Sequence, residues 1–483
     1  MTDRKPRLGL LPLYLALYDK VAPQHRPQVE AFAKRVCDRL AAAGLAVDLA
    51  PICCLKPEVE AAVAELASRK VDLLATLHLA YSPSLEAADP LVSTDLPLVL
   101  LDTTPAPRFA EKATMDDMFR NHGIHGVQDL ASVLRRRGRG YSVVAGHVEE
   151  AGFLREITAL ARAARAARHF RSLRVLVFGD EFVGMGDFAV APELMAATLG
   201  PTARRVPASE LRARVQRVTE RELADEATAD AKAFDSSGIT RSVLRTSNQI
   251  GLAIRAMLEE SASEAFSFNF ESFRRENGLP TVPFLEASKA MARGIGYAGE
   301  GDALTAALVG ALLAGFGEVT FTEMFCPDWE GNSVFMSHMG ECNPRLAAST
   351  PTLVEKQYIL GNAENPVIVT FPLRPGPATL VNLAPGPDNT FGLIATRVRI
   401  LDRWSRTGFP DVPHFWVQPV DLELRDFLRR YSEVGGTHHL ALMLGDHIPA
   451  VRHLAHMLGL ALVEIRPGAS ARRRGSRGAQ REC

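Results

Sequence analysis

Residues 46–77 read AVDLAPICCLKPEVEAAVAELASRKVDLLATL. The stretch opens on one apolar run, Ala46–Ile52, and closes on another, Val71–Leu77. Between them, Val59–Arg69 carries apolar residues three and four apart, the spacing of one helix face. Strand, amphipathic helix, strand is a βαβ unit. Short continuous apolar strands belong to a parallel sheet buried on both sides. The same pattern extends outward. Apolar runs recur at Leu8–Leu13, Leu96–Leu101, Tyr141–Val144 and Leu173–Phe178, and another helical stretch covers Gln28–Ala43. The early part of the chain is therefore predicted to be α/β, with ligands beyond the carboxyl ends of its strands. No GxGxxG follows the first strand, so a Rossmann dinucleotide site is not expected.

A helix over 148–167, rich in Ala and Arg, leads into the strand ending Phe178-Gly179-Asp180, and a first boundary is placed at 171. Residues 172–316 again mix a strand (Phe266–Phe270) with helices (Ser242–Glu259, Ala303–Ala314), which predicts a second α/β domain. From 317 to 465 the pattern changes. Val367–Pro372, Ala378–Leu383 and Leu393–Leu401 read as strands separated by Pro/Gly turns. That predicts an antiparallel β unit closed by a short αβ piece. The tail 466–483 has six Arg against one Glu and few apolar residues, the composition of a disordered end.

Composition bounds the function. Of 483 residues, 47% are hydrophobic and 23% charged, ordinary for a folded chain of several domains. Lys and Arg number 55 against 56 Asp and Glu, which excludes a chain built mainly to coat nucleic acid. No window holds the roughly 20 uninterrupted apolar residues of a membrane span. The apolar start is broken by Pro12 and followed by Asp19 and Lys20, so it reads as a buried strand rather than a signal peptide. None of the six cysteines forms a CxxC pair, and a reducing cytoplasm is expected.

Four short segments place hard metal ligands near turns. Gly299-Glu300-Gly301-Asp302 sets a carboxylate between two glycines directly before a helix, and Asp302 suits an N-cap. Thr322-Glu323 ends the apolar strand Val319–Phe321. His338 lies among apolar residues in Met336-Ser337-His338-Met339-Gly340-Glu341. Gly435-Gly436-Thr437-His438-His439 pairs two histidines, of which at most one is expected in a given site. Each segment has a plain alternative: a capped turn, an exposed acid, a satisfied core histidine. Together, two carboxylates and two imidazoles suit Mn²⁺ or a related divalent ion and leave positions open to a substrate. The absence of Cys argues against a structural zinc site. A cation holding two adjacent sugar oxygens would polarise a carbonyl, and a neighbouring carboxylate could move a proton between adjacent carbons. That is aldose–ketose isomerisation without a redox cofactor.

The order of these segments resembles the L-arabinose isomerase family, related to the L-fucose isomerases. Tyr297–Asp302, Phe321-Thr322-Glu323, Ser337-His338-Met339 with Glu341, and Gly435–His439 occur in sequence, supported by Ser82-Pro83, His125-Gly126, Gly146-His147 and Phe178-Gly179-Asp180. The resemblance implies a manganese site made by Glu300, Glu323, His338 and His439, with Glu300 and Glu323 as the acid/base pair. It implies that His125 reaches a neighbouring subunit's active site and that Phe270 lines the sugar pocket. The implied architecture is a flavodoxin-like N-terminal domain (1–171), a central α/β domain (172–316) and a C-terminal β-barrel-like domain (317–465), assembled as tetramers or hexamers. The chain departs from the family at Leu11-Pro12-Leu13-Tyr14, where a polar turn is usual, and at Met324, where an Asp is common. Lost polar contacts change which sugar is preferred. The expected activity is thus a cytoplasmic, Mn²⁺-dependent isomerase of a pentose or deoxyhexose-like sugar. The alternatives are a sugar or sugar-acid epimerase on the same scaffold, or a non-catalytic sugar-binding paralogue.

Overall fold

The structure is a computed structural model that describes residues 5–179, 182–404 and 412–467. The chain forms two compact units that meet at Arg168/His169. Most of the tail expected at 466–483 lies outside the described residues. Among the described residues, no helix is long and apolar enough to cross a membrane.

The first unit is built on five parallel strands, β1 (Arg7–Leu13), β2 (Ala46–Leu49), β3 (Leu73–His78), β4 (Leu98–Asp102) and β5 (Ser142–Ala145). Their order is β2-β1-β3-β4-β5, the flavodoxin-like doubly wound order. The central apolar runs are the core: every residue of β3 is buried and β1 is buried after Arg7, whereas the edge strands β2 and β5 are mostly half-buried or exposed. The helix Lys56–Ser68 contributes Val59, Ala62, Val63 and Leu66, the three- and four-residue spacing visible in the sequence.

Among the described residues, the second unit holds two larger sheets and a two-stranded pair. Four parallel strands, β6 (Arg174–Phe178), β7 (Thr202–Val206), β8 (Ala265–Phe268) and β9 (Gly296–Gly299), lie in the order β7-β6-β8-β9. Among the described residues, a seven-stranded sheet follows, from β10 (Val319–Asp328), β11 (Ser333–Ser337), β14 (Gly376–Pro385), β15 (Phe391–Leu401), β16 (His414–Pro419), β17 (His439–Leu444) and β18 (Ala461–Ile465). A separate hairpin pairs β12 (Thr352–Glu355) with β13 (Val367–Thr370). Six strands run β14-β17-β10-β11-β16-β15 in antiparallel pairs, and β15 pairs with β14 to close a barrel. The strand β18 adds to β15 in parallel. The antiparallel β unit and closing αβ piece expected near the C-terminus thus form a barrel-like sheet.

Alternate residues of the barrel strands make one apolar core, including Met336, Leu380, Ile394, Val417, Leu440 and Leu442. The opposite alternation on β10 and β17 carries Phe321, Glu323 and His439. It faces the parallel sheet, since Phe321 packs edge-on against Tyr297 of β9, with ring centroids 5.5 Å apart.

Two expectations are corrected. The strand begun at Val319 does not end before Glu323 but continues to Asp328, with a register break between Met324 and Cys326. Its outer half is half-buried to exposed and pairs with β11 as a hairpin, so the strand continues past the buried run that marked it in the sequence. The strand expected over Phe266–Phe270 ends at Phe268. Asn269 then caps a short turn by accepting the Glu271 N–H, which carries Phe270 out of the sheet.

Candidate functional site

Parallel strands present their carboxyl ends to ligands, and β8 and β9 end together, with Phe268 opposite Gly299. Phe270 follows β8, half-buried, its ring 5.3 Å from that of Phe182. Glu300 follows β9 at φ +61°, a left-handed conformation that costs a non-glycine residue about 1–2 kcal/mol. Such strain persists where the surroundings hold it in place. Here the next element does so. Asp302 caps the buried helix Ala303–Phe316, its Oδ1 accepting the Thr305 N–H at 2.8 Å. The other oxygen, Oδ2, lies 2.9 Å from Nδ1 of His439. The capped turn and the ligand-bearing turn are therefore one structure.

The barrel supplies the rest. His439 begins β17 and pairs in register with Glu323 of β10, which in turn pairs with Ser337 of β11. His338 follows Ser337. Gly299 admits its ring: a Cβ at residue 299 would lie 2.6 Å from His338 Cε1 and 2.9 Å from Nε2. The rings of His338 and His439 have centroids 5.6 Å apart, and Phe321 packs edge-on against both.

Each imidazole has a carboxylate behind it. His338 Nδ1 lies 2.8 Å from Glu341 Oε2, and Glu341 also accepts from the Tyr297 hydroxyl. His439 has Asp302. His438 Nδ1 lies 2.6 Å from Asp187 Oδ2. A carboxylate on one ring nitrogen fixes the tautomer and turns the other nitrogen outward, the arrangement found behind metal-binding histidines. The outward nitrogens of His438 and His439 lie 3.5 and 3.6 Å from Glu300 Oε2. Contrary to expectation, the adjacent histidines thus face one point. The reason is local: only His439 belongs to β17, and strand alternation does not govern the turn residue before it.

Charge follows from this packing. Burial disfavours a charged ring at His338, but Glu341, Glu323 and Glu300 outweigh it and push its pKa up to about 9. Burial opposes the charge on His438 as well. The Glu300 carboxylate 3.5 Å away, the hydrogen bond to Asp187 and the charges of Asp187 and Glu323 take it up to about 9. Burial alone would raise Glu300, yet the three histidines hold it below the ordinary carboxylate value.

Of the expected site residues, Glu300 and His439 meet directly. Glu323 is His439's register partner, with its charge felt at His338 and His438. Phe270 lies past the same sheet edge as Glu300. His125 belongs to the first unit, on the helix Ile124–Arg136, with its ring 5.6 Å from His122. Sequence reasoning missed Asp187 and His438 as a pair and the orienting roles of Asp302 and Glu341. Glu341 was legible in part, three residues after His338. Asp187 lies 251 residues from its partner, and no spacing announces it.

The donor set suits a divalent cation. Glu300 Oε2 and His439 Nε2 are both buried without a hydrogen-bond partner. Ligand atoms of Glu300, His438 and His439 all lie within 4.8 Å of one another. Mixed oxygen and imidazole donors without sulfur fit Mn²⁺ and its neighbours.

Comparison with known proteins places these residues in context. The L-arabinose isomerase central-domain model matches residues 179–314, and the L-arabinose isomerase C-terminal-domain model matches 318–461. The L-arabinose isomerase of Acidothermus cellulolyticus is 29% identical over 412 residues, covering 82% of this chain and 80% of that protein. That of Nocardioides sp. is 29% identical over 416 residues, with the same coverage. That of Herpetosiphon aurantiacus is 26% identical over 422 residues, covering 83% and 82%.

Proposed function

Since this chain belongs to the L-arabinose isomerase family, we propose that it is a metal-dependent aldose–ketose isomerase acting on a pentose or deoxyhexose-like sugar. The observation that carries the reading is the meeting of Glu300, His438 and His439, beside Glu323 and His338, with a carboxylate behind every imidazole. Glu300, Glu323, His338 and His439 would hold the ion, and Mn²⁺ fits their donors best. When bound, the ion would polarise the sugar carbonyl and lower the acidity barrier at the adjacent carbon.

The chain's own residues do the remaining work. Asp302 and Glu341 hold the two imidazoles through Nδ1, so that neither ring can turn its lone pair away from the centre. The barrel register sets Glu323 beside His439. One of the two glutamates removes the proton from the carbon next to the carbonyl and returns it to the former carbonyl carbon. The hydroxyl proton passes between the two oxygens, so an aldose becomes its ketose with no net redox change. Phe270 lines the sugar's apolar edge. His125 completes the pocket of a neighbouring subunit in a homo-oligomer, tetrameric or hexameric, in the cytoplasm.

The test is ketose formation. Protein stripped of metal and reloaded with Mn²⁺ meets a panel of aldopentoses and deoxyhexoses, L-arabinose first. Turnover that chelator abolishes is the expected result. Exchange of a carbon-bound proton from deuterated water without ketose would indicate an epimerase instead. Sugar binding with neither would indicate a non-catalytic paralogue.

A further inference from the structure

His438 is fixed more firmly than a residue beside a site needs to be. Its backbone N–H donates to Asp187 Oδ2 at 2.9 Å, and its Nδ1 lies 2.6 Å from the same oxygen. One carboxylate oxygen therefore locks both the main chain and the ring. The next residue, Phe188, stacks on His439 with centroids 4.9 Å apart and planes 9° apart, and its ring lies 5.4 Å from His438. Two consecutive residues thus brace two consecutive histidines.

The consequence is an orientation. In the neutral ring that a cation would bind, Nδ1 donates to the carboxylate and Nε2 carries the lone pair. That nitrogen lies 3.5 Å from Glu300 Oε2, the atom that His439 Nε2 also faces at 3.6 Å. The three atoms fall within one ion's reach. A solvent-exposed Asp–His pair alone contributes little to stability, but it sets the direction of a donor.

We infer that His438 is a donor of the metal-binding set, in addition to the four the family implies, and that Asp187 is the residue that positions it. The inference rests on the reading of this site as a metal centre.

Calorimetric titration of the metal-free, full-length protein with Mn²⁺, without sugar, tests it. Four proteins are compared: wild type, Asp187→Ala, Asp187→Asn and His438→Gln, each checked for native circular dichroism. Removing a carboxylate behind a ligand weakens metal binding by about 10–100-fold, and that loss is expected for Asp187→Ala and His438→Gln. Asp187→Asn keeps an oxygen that accepts both N–H groups and is expected to recover most of the affinity. A merely structural Asp187 would not produce that rescue. Wild-type affinity in His438→Gln or in folded Asp187→Ala overturns the inference while leaving the proposed function standing. Should Asp187→Ala not fold, His438→Gln decides alone. No Mn²⁺ uptake by the wild type would overturn both.

Discussion

His78 closes β3 in the first unit and His338 follows β11 in the second, and both are buried. They are held in opposite ways. Among the described residues the His78 ring hydrogen-bonds only to hydroxyls, Thr76 Oγ1 at 3.1 Å and Ser82 Oγ at 2.7 Å, and burial pushes its pKa down to about 3. His338 meets the Glu341 carboxylate, and despite equal burial its pKa rises to about 9. The difference lies in what stands behind the ring. A hydroxyl-satisfied imidazole stays neutral and serves packing. A carboxylate-backed imidazole attracts positive charge, whether a proton or a cation. A histidine among apolar residues is ambiguous in sequence, and its partner resolves it.

The sharpest way to break this contrast is to neutralise the charge that the outward nitrogens face. Glu300→Gln is nearly isosteric and leaves the turn unchanged in size. Loss of an acid/base group costs about 10²–10⁴-fold in rate. Ketose formation should fall at least that far in Glu300→Gln and in Glu323→Gln, with native circular dichroism in both. Normal turnover in both would mean that the second cluster is no more chemical than the first.

A smaller effect is expected one step further out. Glu341→Ala removes the acceptor that holds His338 Nδ1 and the Tyr297 hydroxyl. Mn²⁺ affinity should drop by about 10–100-fold, measured by titration of the metal-free protein. Unchanged affinity would show that the carboxylate behind His338 is structural.

The two clusters also separate in pH. In His78 the folded pKa is depressed below the ordinary histidine value of 6.5, so the unfolded state binds the extra proton between about 3 and 6.5. Stability therefore rises with pH across that window. In His338 and His438 the folded pKa is raised. Their contribution is complete below about 6.5 and is lost as pH climbs through 9. With one pKa unit worth about 1.4 kcal/mol, His338 alone accounts for on the order of 3 kcal/mol. Denaturant unfolding of metal-free protein at pH 5, 6.5, 8 and 9.5 should give a maximum near 6.5. His78→Gln should flatten the acid limb only. A stability that is level from 6.5 to 9.5 would contradict the carboxylate-backed picture.

Much of this fold was legible because apolar continuity records burial on both faces: Leu8–Leu13 and Val71–Leu77 could be strands of little else. Glu300 and His439 were legible because glycine turns around polar residues are costly to place without purpose. The rest was hidden by distance and by exposure. The outer half of β10, Glu323–Asp328, gains its strand conformation from pairing with β11, a partner that local pattern cannot supply. Asp187 and His438 stand 251 positions apart in the chain, and only the fold brings them together. Alternation, the rule that dismissed one of two adjacent histidines, fails where a turn becomes a strand.

The smallest expected effect lies in the first unit. A Cβ at Gly126 would sit 2.5 Å from Ser82 Oγ and 2.7 Å from His78 Nδ1. Gly126→Ala must therefore push apart the hydroxyl and ring that satisfy each other, with the Ser82 backbone nitrogen 3.1 Å away limiting the room to yield. Overpacking of this kind costs about 1–3 kcal/mol, read as a lower denaturant midpoint at pH 7. Displacing Ser82 also strips His78 of its closest partner. The Mn²⁺ affinity of the same preparation should match wild type, because the donors belong to the second unit and answer to Asp302, Glu341 and Asp187. A parallel loss of Mn²⁺ affinity would mean that the two histidine clusters are coupled and that the contrast between them is not a contrast between packing and chemistry.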